Sequence, residues 1–246
     1  MRGVRAASLI WVMGPVAALA AEPASVEAPS FRVGDSWVFQ ENVQTGTSGF
    51  TQQRLVETID RVSSDELLMG IKLDGSPRAP EEHRIGLDLS QRLLVNGSEV
   101  VTSRPFAFPM KVGQSWTSEW TDPRPQGQRV SARVHRTYKV TGWEDVTVPA
   151  GTFHALKIEA KGTIDDEIAV PAQTATAGVA GGGGSTVVAH AQAARKGVVH
   201  LTTFDTIYYA PEAKIYVKTV DEQYNASDVL VRRDTNELAA FTPAKG

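Results

Sequence analysis

The five histidines are the side chains of this chain best suited to acid–base or metal chemistry. None of them forms an H-E-x-x-H or H-x-H pair, and they stand at His83, His135, His154, His190 and His200. Without such spacing, the pattern favours exposed or structurally satisfied histidines over metal ligands. The alternative is a metal site assembled in three dimensions from His154, His200 and the acidic run 165–167. We predict no metal centre and no cofactor.

No nucleophile is marked by a recognised motif. The chain has no cysteine, which excludes thiolate chemistry and a disulfide framework. It has no G-x-S-x-G sequence, and the glycine run 181–184 lacks the lysine of a phosphate-binding loop. We therefore predict no catalytic residues, and a hydrolase of envelope glycans or esters is the enzymatic alternative. Its mark would be a cleft in which His154 or His200 meets a carboxylate within hydrogen-bond distance.

Aromatic side chains give the strongest indication of a binding surface. Those on or beside predicted strands include Trp37, Trp116, Trp143, Tyr208 and Tyr209. Such side chains can line a concave surface that holds an apolar ligand or a sugar, although they more often fill a β core. We take these five as candidate ligand-binding residues, with core packing as the competing interpretation.

The elements that carry these residues are predicted to be β-strands. Between residues 129 and 140, apolar and polar residues alternate with period two, which is typical of a half-buried antiparallel strand. Arg136 is the exception on the apolar face, and His135 falls on the polar face. No segment beyond the first twenty residues sustains helical periodicity over three turns, so we expect little helix.

Two tight turns are predicted from their residue types. Asn96 and Gly97 lie between apolar runs and both tolerate positive φ, which favours a type I′ turn. In the sequence V-P-A-G-T-F, Pro149 suits the second position of a turn and Gly151 suits the fourth, with Phe153 on the returning strand. We expect Pro149, Gly151 and Phe153 to have a structural role.

Two segments of the chain repeat each other. The sequence F-R-V-G-D-S-W at 31–37 returns as M-K-V-G-Q-S-W at 110–116, at an offset of 79 residues. The same offset, without a gap, places Tyr138 on Ile59. We predict a duplicated β-meander. The predicted organisation is a flexible lead-in at 21–30, a first meander at 31–104, a second at 105–241 with a flexible Gly/Ala-rich insertion at 165–196, and a tail at 242–246.

Residues 1–20 have the features of a cleaved signal peptide. Arg2 and Arg5 provide the positive start, and residues 8–16 provide an apolar core that is too short to span a bilayer. A small-x-small cleavage sequence ends at Ala20. We therefore expect cleavage near Ala20, no transmembrane anchor, and a periplasmic or secreted protein.

The charge of the exported chain argues against nucleic acid as a partner. The full chain of 246 residues has a formal net charge of −3, and loss of the two N-terminal arginines takes it to −5. Nucleic-acid binding requires a basic face, which this balance does not favour. An apolar ligand or an envelope protein is the expected partner.

Three motifs, in order, resemble an uncharacterised family of bacterial exported β-proteins. They are V-G-Q-S-W at 112–116, the V-P-A-G-T-F hairpin at 148–153, and Y-Y-A-P at 208–211 followed by Y-V-K at 216–218. The resemblance implies an exported β-protein, and the family has no established catalytic residues to carry over. This chain departs from it in its Gly/Ala-rich insertion and in Ala213, where the family usually has glycine.

The sequence thus predicts a mainly β, antiparallel fold in which two related meanders form a curved sheet, a half-barrel or a sandwich. The predicted function is that of an exported, non-catalytic binding or scaffolding protein of the cell envelope. Its sheet would hold a lipid or other apolar ligand, or a partner protein. Besides the envelope hydrolase, the other alternative is a secreted protein-interaction module that uses the Gly/Ala-rich insertion as a contact loop.

Overall fold

The structure is a computed structural model that describes residues 22–46, 49–123, 128–170, 173–181, 184–192 and 195–245. The predicted signal peptide, residues 1–20, lies outside the described residues. Within the described ranges, no helix is long and apolar enough to cross a membrane.

The described chain is built almost entirely of β-strands, with one three-residue 3₁₀ helix at Pro211–Ala213. The expected mainly β fold with little helix is confirmed. The strands are β1 Ser36–Thr45, β2 Gly49–Val62, β3 Glu66–Leu73, β4 Glu81–Gly86, β5 Gln91–Val95, β6 Ser98–Ser103, β7 Ser115–Asp122, β8 Arg129–Val148, β9 Gly151–Val170, β10 Gln173–Gly181, β11 Gly184–Gln192, β12 Arg195–Ala210, β13 Ile215–Tyr224 and β14 Leu230–Thr242.

Twelve of these strands form one curved antiparallel sheet. Its order is β6-β5-β4-β3-β2-β1-β14-β13-β12-β9-β8-β7. The strands β1 to β6 follow one another as a meander, and a second run consists of β7, β8, β9, β12, β13 and β14. The two runs meet where β1 pairs with β14. Of the architectures expected from the sequence, this single sheet agrees with the curved sheet or half-barrel.

The predicted Gly/Ala-rich insertion contains regular backbone structure. Residues 165–170 continue β9, and β10 and β11 pair with each other in a separate two-stranded sheet. In the sequence this hairpin comes between β9 and β12, and these two strands pair directly with one another in the main sheet. The flexibility of residues 165–196 stays a prediction.

One face of the sheet is buried and the other is largely exposed. On β8, Val134 and Tyr138 are buried, whereas His135 is exposed, as the alternation of the sequence predicts. The buried face carries the core, because apolar side chains at alternate positions of neighbouring strands pack against one another. Its largest fully buried side chains are Trp37, Tyr138, Tyr209, Phe39, Ile59, Leu67, Met110, Leu156, Ile158, Leu238, Val140 and Val217.

The two repeated V-G-x-S-W segments form equivalent turns. Gly34 has a φ of +94° and donates its N–H to Ile59, and Gly113 has a φ of +85° and donates to Val140. Both positions require the left-handed region, which glycine adopts without a steric cost. The structure therefore equates Val140 with Ile59, two residues further than the ungapped offset of 79 predicts. The alignment of Tyr138 with Ile59 is wrong in register, and the duplication itself stays a prediction.

Turn chemistry sets the ends of the hairpins. Asn96 and Gly97 have φ values of +51° and +81°, so the predicted requirement for positive φ at both positions is confirmed. In the V-P-A-G-T-F hairpin, Val148 pairs with Gly151, which leaves Pro149 and Ala150 as the two residues of the turn. The N–H of Ala150 donates to the carbonyl of Leu238, which ties this turn to β14.

Candidate functional site

A cavity of about 220 Å³ lies on the concave face of the sheet. It forms between β2, β3 and β4 on one side and β12 and β13 on the other, because the curvature of the sheet turns these strands toward each other. The lining residues are Glu57, Met69, Ile71, His83, Ile85, Leu89, Gln91, Pro105, Phe106, Ile207, Ile215, Tyr216 and Thr219.

Most of the cavity wall is apolar and fixed by packing. Met69, Ile85 and Ile207 are buried strand residues whose side chains alternate inward. Leu89 is buried in the turn after β4 and has a φ of +63°, an uncommon conformation for a bulky residue. The N–H of Leu89 donates to the carbonyl of Gly86 at 2.8 Å, which closes this turn against the cavity.

An aromatic loop covers one side of the cavity. Phe106, in the segment between β6 and β7, stacks on Phe108 and makes an edge contact with Tyr209 at 5.3 Å between ring centroids. Gln114 holds this loop in place, since its Nε2 donates to the carbonyl of Ala107 at 2.9 Å. The loop therefore supplies a fixed aromatic wall.

Glu57 is the acidic residue of the cavity wall. It stands on β2 opposite Trp37 of β1, and only 8% of its surface is exposed. Within the described residues, its carboxyl group has no hydrogen-bond or ion-pair partner. Burial, and after it the charge of Glu41, raises the pKa of Glu57 to about 7.

A phenol stands beside this carboxyl group. Tyr216 of β13 stacks on Phe39 at 4.8 Å between centroids and contributes to the cavity wall. Burial, followed by the charges of Glu57 and Glu41, raises the pKa of the Tyr216 phenol well above its usual value. The hydroxyl group is therefore neutral at physiological pH and can donate or accept a hydrogen bond.

The five candidate aromatic residues lie elsewhere and do not form one surface. Trp37 is fully buried, stacks on Phe241 and donates its Nε1–H to the carbonyl of Ala213 at 2.8 Å. Tyr209 is buried against Phe106, and Tyr208 packs at the edge of the same core. None of the five lines the cavity, although Tyr209 supports its aromatic wall.

The other two candidates, Trp116 and Trp143, each stack on a ring of a neighbouring strand. Trp116 of β7 stacks on Tyr138 of β8 at 5.2 Å between ring centroids. Trp143 stacks on His154 at 5.1 Å, near the end of the β8–β9 hairpin. Ligand binding by these two tryptophans stays a prediction.

Two histidines do meet carboxylates. His154 Nδ1 lies 2.7 Å from Asp145 Oδ1, and both side chains are more than half exposed. His200 Nδ1 lies 2.6 Å from Asp165 Oδ1. Since His154 and Asp165 are eleven residues apart along β9, roughly 36 Å of extended chain separates the two pairs. The alternative metal site from His154, His200 and the acidic run 165–167 is therefore wrong.

His200 and Asp165 line an open groove of about 450 Å³ on the outer face of the sheet. Arg133 and Lys196 line the same groove and are exposed. This groove has the geometry expected for the hydrolase alternative, a cleft in which His200 lies within hydrogen-bond distance of a carboxylate. Within the described residues, however, no hydroxyl group is hydrogen-bonded to the free Nε2 of His200, and no cluster of three or more His, Asp or Glu side chains could hold a metal ion.

A buried charge cluster extends the concave face beyond the cavity. Arg136 Nε lies 3.2 Å from Asp205 Oδ2, and Arg136 Nη2 lies 2.7 Å from Asp221 Oδ2. Burial, and then the neighbouring Asp221, raises the pKa of Asp205. Burial opposes ionisation of Asp221 as well, but Asp205 and Arg136 outweigh it and lower the pKa of Asp221. The opposite shifts mean that the two carboxyl groups share a proton to higher pH than isolated aspartates would.

Glu57 belongs to no motif, but its position in the sequence pattern marks it. Leu55, Glu57 and Ile59 occupy alternate positions of one strand, which puts an acidic residue on an apolar face. Such a residue needs a partner or an environment that keeps it neutral. Arg136 likewise interrupts the apolar face of β8, and this position in the pattern indicates the charge cluster.

Comparisons with known proteins identify no family. No family model and no curated protein matches the chain. Solved structures that overlap it are a predicted lipoprotein from Parabacteroides distasonis (14% identity, TM-score 0.46, covering 90% of this chain and 100% of that one) and a predicted exported protein with a YmcC-like fold from Bacteroides fragilis (13%, 0.41, 89% and 99%). The hypothetical lipoprotein YmcC from Escherichia coli overlaps at 13% identity and a TM-score of 0.32, over 85% of this chain and 86% of that one. At TM-scores below 0.5 these overlaps assign neither family nor activity, and the family predicted from the V-P-A-G-T-F hairpin stays a prediction.

Proposed function

We propose that the protein is an exported, non-catalytic binding protein of the cell envelope that holds the apolar part of a small ligand on its curved sheet. The cavity between β2–β4 and β12–β13 is the observation that carries this proposal. Its wall is mainly apolar, it includes the acidic Glu57, and it opens at a rim that contains His83 and Gln91, as concave ligand sites typically do.

The size of the cavity limits the ligand. Cavities for drug-sized molecules start at about 300 Å³, whereas an apolar cavity of about 150 Å³ accommodates benzene. A space of about 220 Å³ therefore suits a short alkyl chain or one aromatic ring. A longer lipid chain would have to extend past the half-exposed His83 and the exposed Gln91 at the rim.

A titration with 1-hexanol tests the proposal. The NMR methyl resonances of isoleucine and methionine report where the ligand binds. Wild-type protein is expected to bind one molecule, with shifts confined to the isoleucine and methionine residues of the lining, which are Met69, Ile71, Ile85, Ile207 and Ile215. Ile71→Phe fills the cavity and is expected to weaken binding at least tenfold. Leu73→Phe, on the same strand but exposed, is the matched control and keeps wild-type affinity. Absence of binding to wild-type protein, or equal binding by Ile71→Phe, would overturn the proposal.

Native mass spectrometry then identifies the natural ligand. The protein is purified from the cell envelope without detergent, and a reproducible mass adduct that organic extraction removes is expected. The Ile71→Phe variant is expected to lack the adduct, and Leu73→Phe is expected to retain it. An adduct that Ile71→Phe retains would place the ligand outside the cavity.

An envelope hydrolase is the second candidate function. The pairing of His200 with Asp165 in a groove that also contains Arg133 and Lys196 favours it. Such a histidine could activate a water molecule while the two cations hold an anionic substrate. Against this, 71% of the His200 side chain is exposed, so the groove excludes little water. The binding function is therefore preferred.

A further inference from the structure

The polar end of the cavity carries an acidic side chain without a counter-ion. Glu57 lines the cavity, is more than nine-tenths buried, and has no polar partner among the described residues. The lining contains no lysine or arginine. A buried carboxyl group without a partner is costly, which is why such groups normally occur with a counter-ion or a bound ligand.

A second carboxyl group, that of Glu41, lies close enough to Glu57 to affect its pKa. Glu41 acts on Glu57 through its charge, and its own polar contact in the described chain is to the neutral amide of Gln53, whose Nε2 donates to Glu41 Oε2. No cation is in ion-pair contact with either glutamate in that part of the chain. Since Glu57 lines the cavity and the charge of Glu41 acts on it from outside the lining, the two side chains favour a cation there over a neutral molecule or an anion.

The aromatic wall suits the same kind of ligand. Phe106 and Tyr216 both line the cavity that Glu57 lines, and Tyr216 lies close enough for the charge of Glu57 to raise its pKa. The faces of aromatic rings attract ammonium groups, and Tyr216 offers a neutral hydroxyl group as an additional acceptor. The isoleucine side chains of β3, β4 and β12 provide the surface for an attached hydrocarbon group.

We propose that the ligand of this cavity is a small organic cation, an alkylammonium or arylalkylammonium ion, whose nitrogen pairs with the carboxylate of Glu57 while its hydrocarbon part fills the apolar wall. This inference rests on the proposed binding function and specifies its ligand class. A carboxylate ligand would instead face Glu57 with no lysine or arginine in the cavity lining to balance its charge.

The affinity for an amine is expected to depend on pH, because binding requires Glu57 to lose its proton. Glu57 must be ionised to pair with an ammonium group, and its pKa of about 7 means that it is protonated below neutral pH. The groups that face it are Glu41 of β1, Tyr216 of β13 and, at the rim, His83 of β4. The affinity for an amine is therefore expected to rise about tenfold between pH 6 and pH 8, whereas that for a neutral alcohol stays constant.

Matched six-carbon probes test the ligand class. Hexylammonium, 1-hexanol and hexanoate are titrated into the full exported chain at pH 8, with the isoleucine and methionine methyl resonances as the readout. Wild-type protein is expected to bind hexylammonium at least tenfold more tightly than 1-hexanol, and hexanoate least. Glu57→Gln is expected to abolish the preference for hexylammonium over 1-hexanol.

Glu82→Gln is the matched control, because it removes an exposed carboxylate from β4 outside the cavity. It is expected to bind all three probes as the wild-type protein does. Tightest binding of hexanoate, or an amine preference that persists in Glu57→Gln, would overturn the cation inference while leaving the binding function intact. Failure of all three probes to bind wild-type protein would overturn both.

Discussion

Arg136 and Asp221 form an ion pair of 2.7 Å although two strands, β9 and β12, lie between them in the sheet. Three steps between strands correspond to about 14 Å in a flat sheet, more than one arginine side chain can span. The contact is possible because the sheet is curved and both side chains lie on its concave face. The same curvature brings β3 and β4 toward β12 and β13 and so creates the cavity.

Arg136 is expected to be the counter-ion of the buried Asp205 and the half-buried Asp221. In Arg136→Met, Asp205 and Asp221 lose their cation, and removal of one partner from a buried ion pair costs about 3 kcal/mol or more. Urea denaturation at pH 7 measures this loss in the free energy of unfolding. Arg133→Met is the control, since Arg133 is exposed on the same strand and has no ion pair in the described chain. A loss of similar size in both variants would contradict the assignment.

Gly162 is expected to be required because the Arg136 side chain crosses β9 at this position. Arg136 and Gly162 are paired residues, and a Cβ atom at Gly162 would meet the backbone oxygen of His135 and lie 2.8 Å from Arg136 Cγ. Gly162→Ala is therefore expected to lower the free energy of unfolding by about 2 kcal/mol. Gly142→Ala, on β8, is the control because no atom lies within 4 Å of its Cβ position. If Gly142→Ala destabilises the protein equally, the steric explanation fails.

The fold was largely predictable because local patterns determine it. Period-two alternation identified the exposed side of β8 through His135, and the residue types of Asn96 and Gly97 identified a turn with positive φ. The register of the repeat was not predictable from the ungapped offset. It depends on which residue receives the hydrogen bonds of the Gly34 and Gly113 turns, and a shift of two residues preserves the alternation.

The candidate site was harder to predict than the fold. Aromatic residues such as Trp37 and Tyr209 mark the core, where a pattern alone does not separate a filled interior from a cavity. The cavity depends on how far the sheet curls, which brings Met69 of β3 and Ile207 of β12 to one space over a long sequence separation. Glu57 was the one local sign, since it interrupts an apolar face.

Glu57 is expected to make the protein less stable as pH rises. Its pKa is raised from 4.5 to about 7 in the folded protein, so the folded state binds the proton more tightly than the unfolded state does. The resulting stabilisation is complete below pH 4.5 and is lost as pH rises through 7, by about 3 kcal/mol. Urea titrations from pH 4.5 to 8.5 are expected to lose this dependence in Glu57→Gln and to keep it in Glu82→Gln. Identical profiles for wild type and Glu57→Gln would contradict burial of an unpaired carboxyl group.

The groove around His200 is expected to lack hydrolytic activity. A histidine oriented by Asp165 can act as a general base, but efficient catalysis also needs a positioned nucleophile and exclusion of water. The His200 side chain is 71% exposed, and no hydroxyl group in the described residues contacts its Nε2. Rates of p-nitrophenyl acetate and peptidoglycan hydrolysis are therefore expected to be the same for wild type, His200→Asn and the control His135→Asn, whose histidine is exposed on β8. Turnover by the wild type that falls a hundredfold in His200→Asn but not in His135→Asn would instead establish the hydrolase, because only loss of a working base separates those two variants.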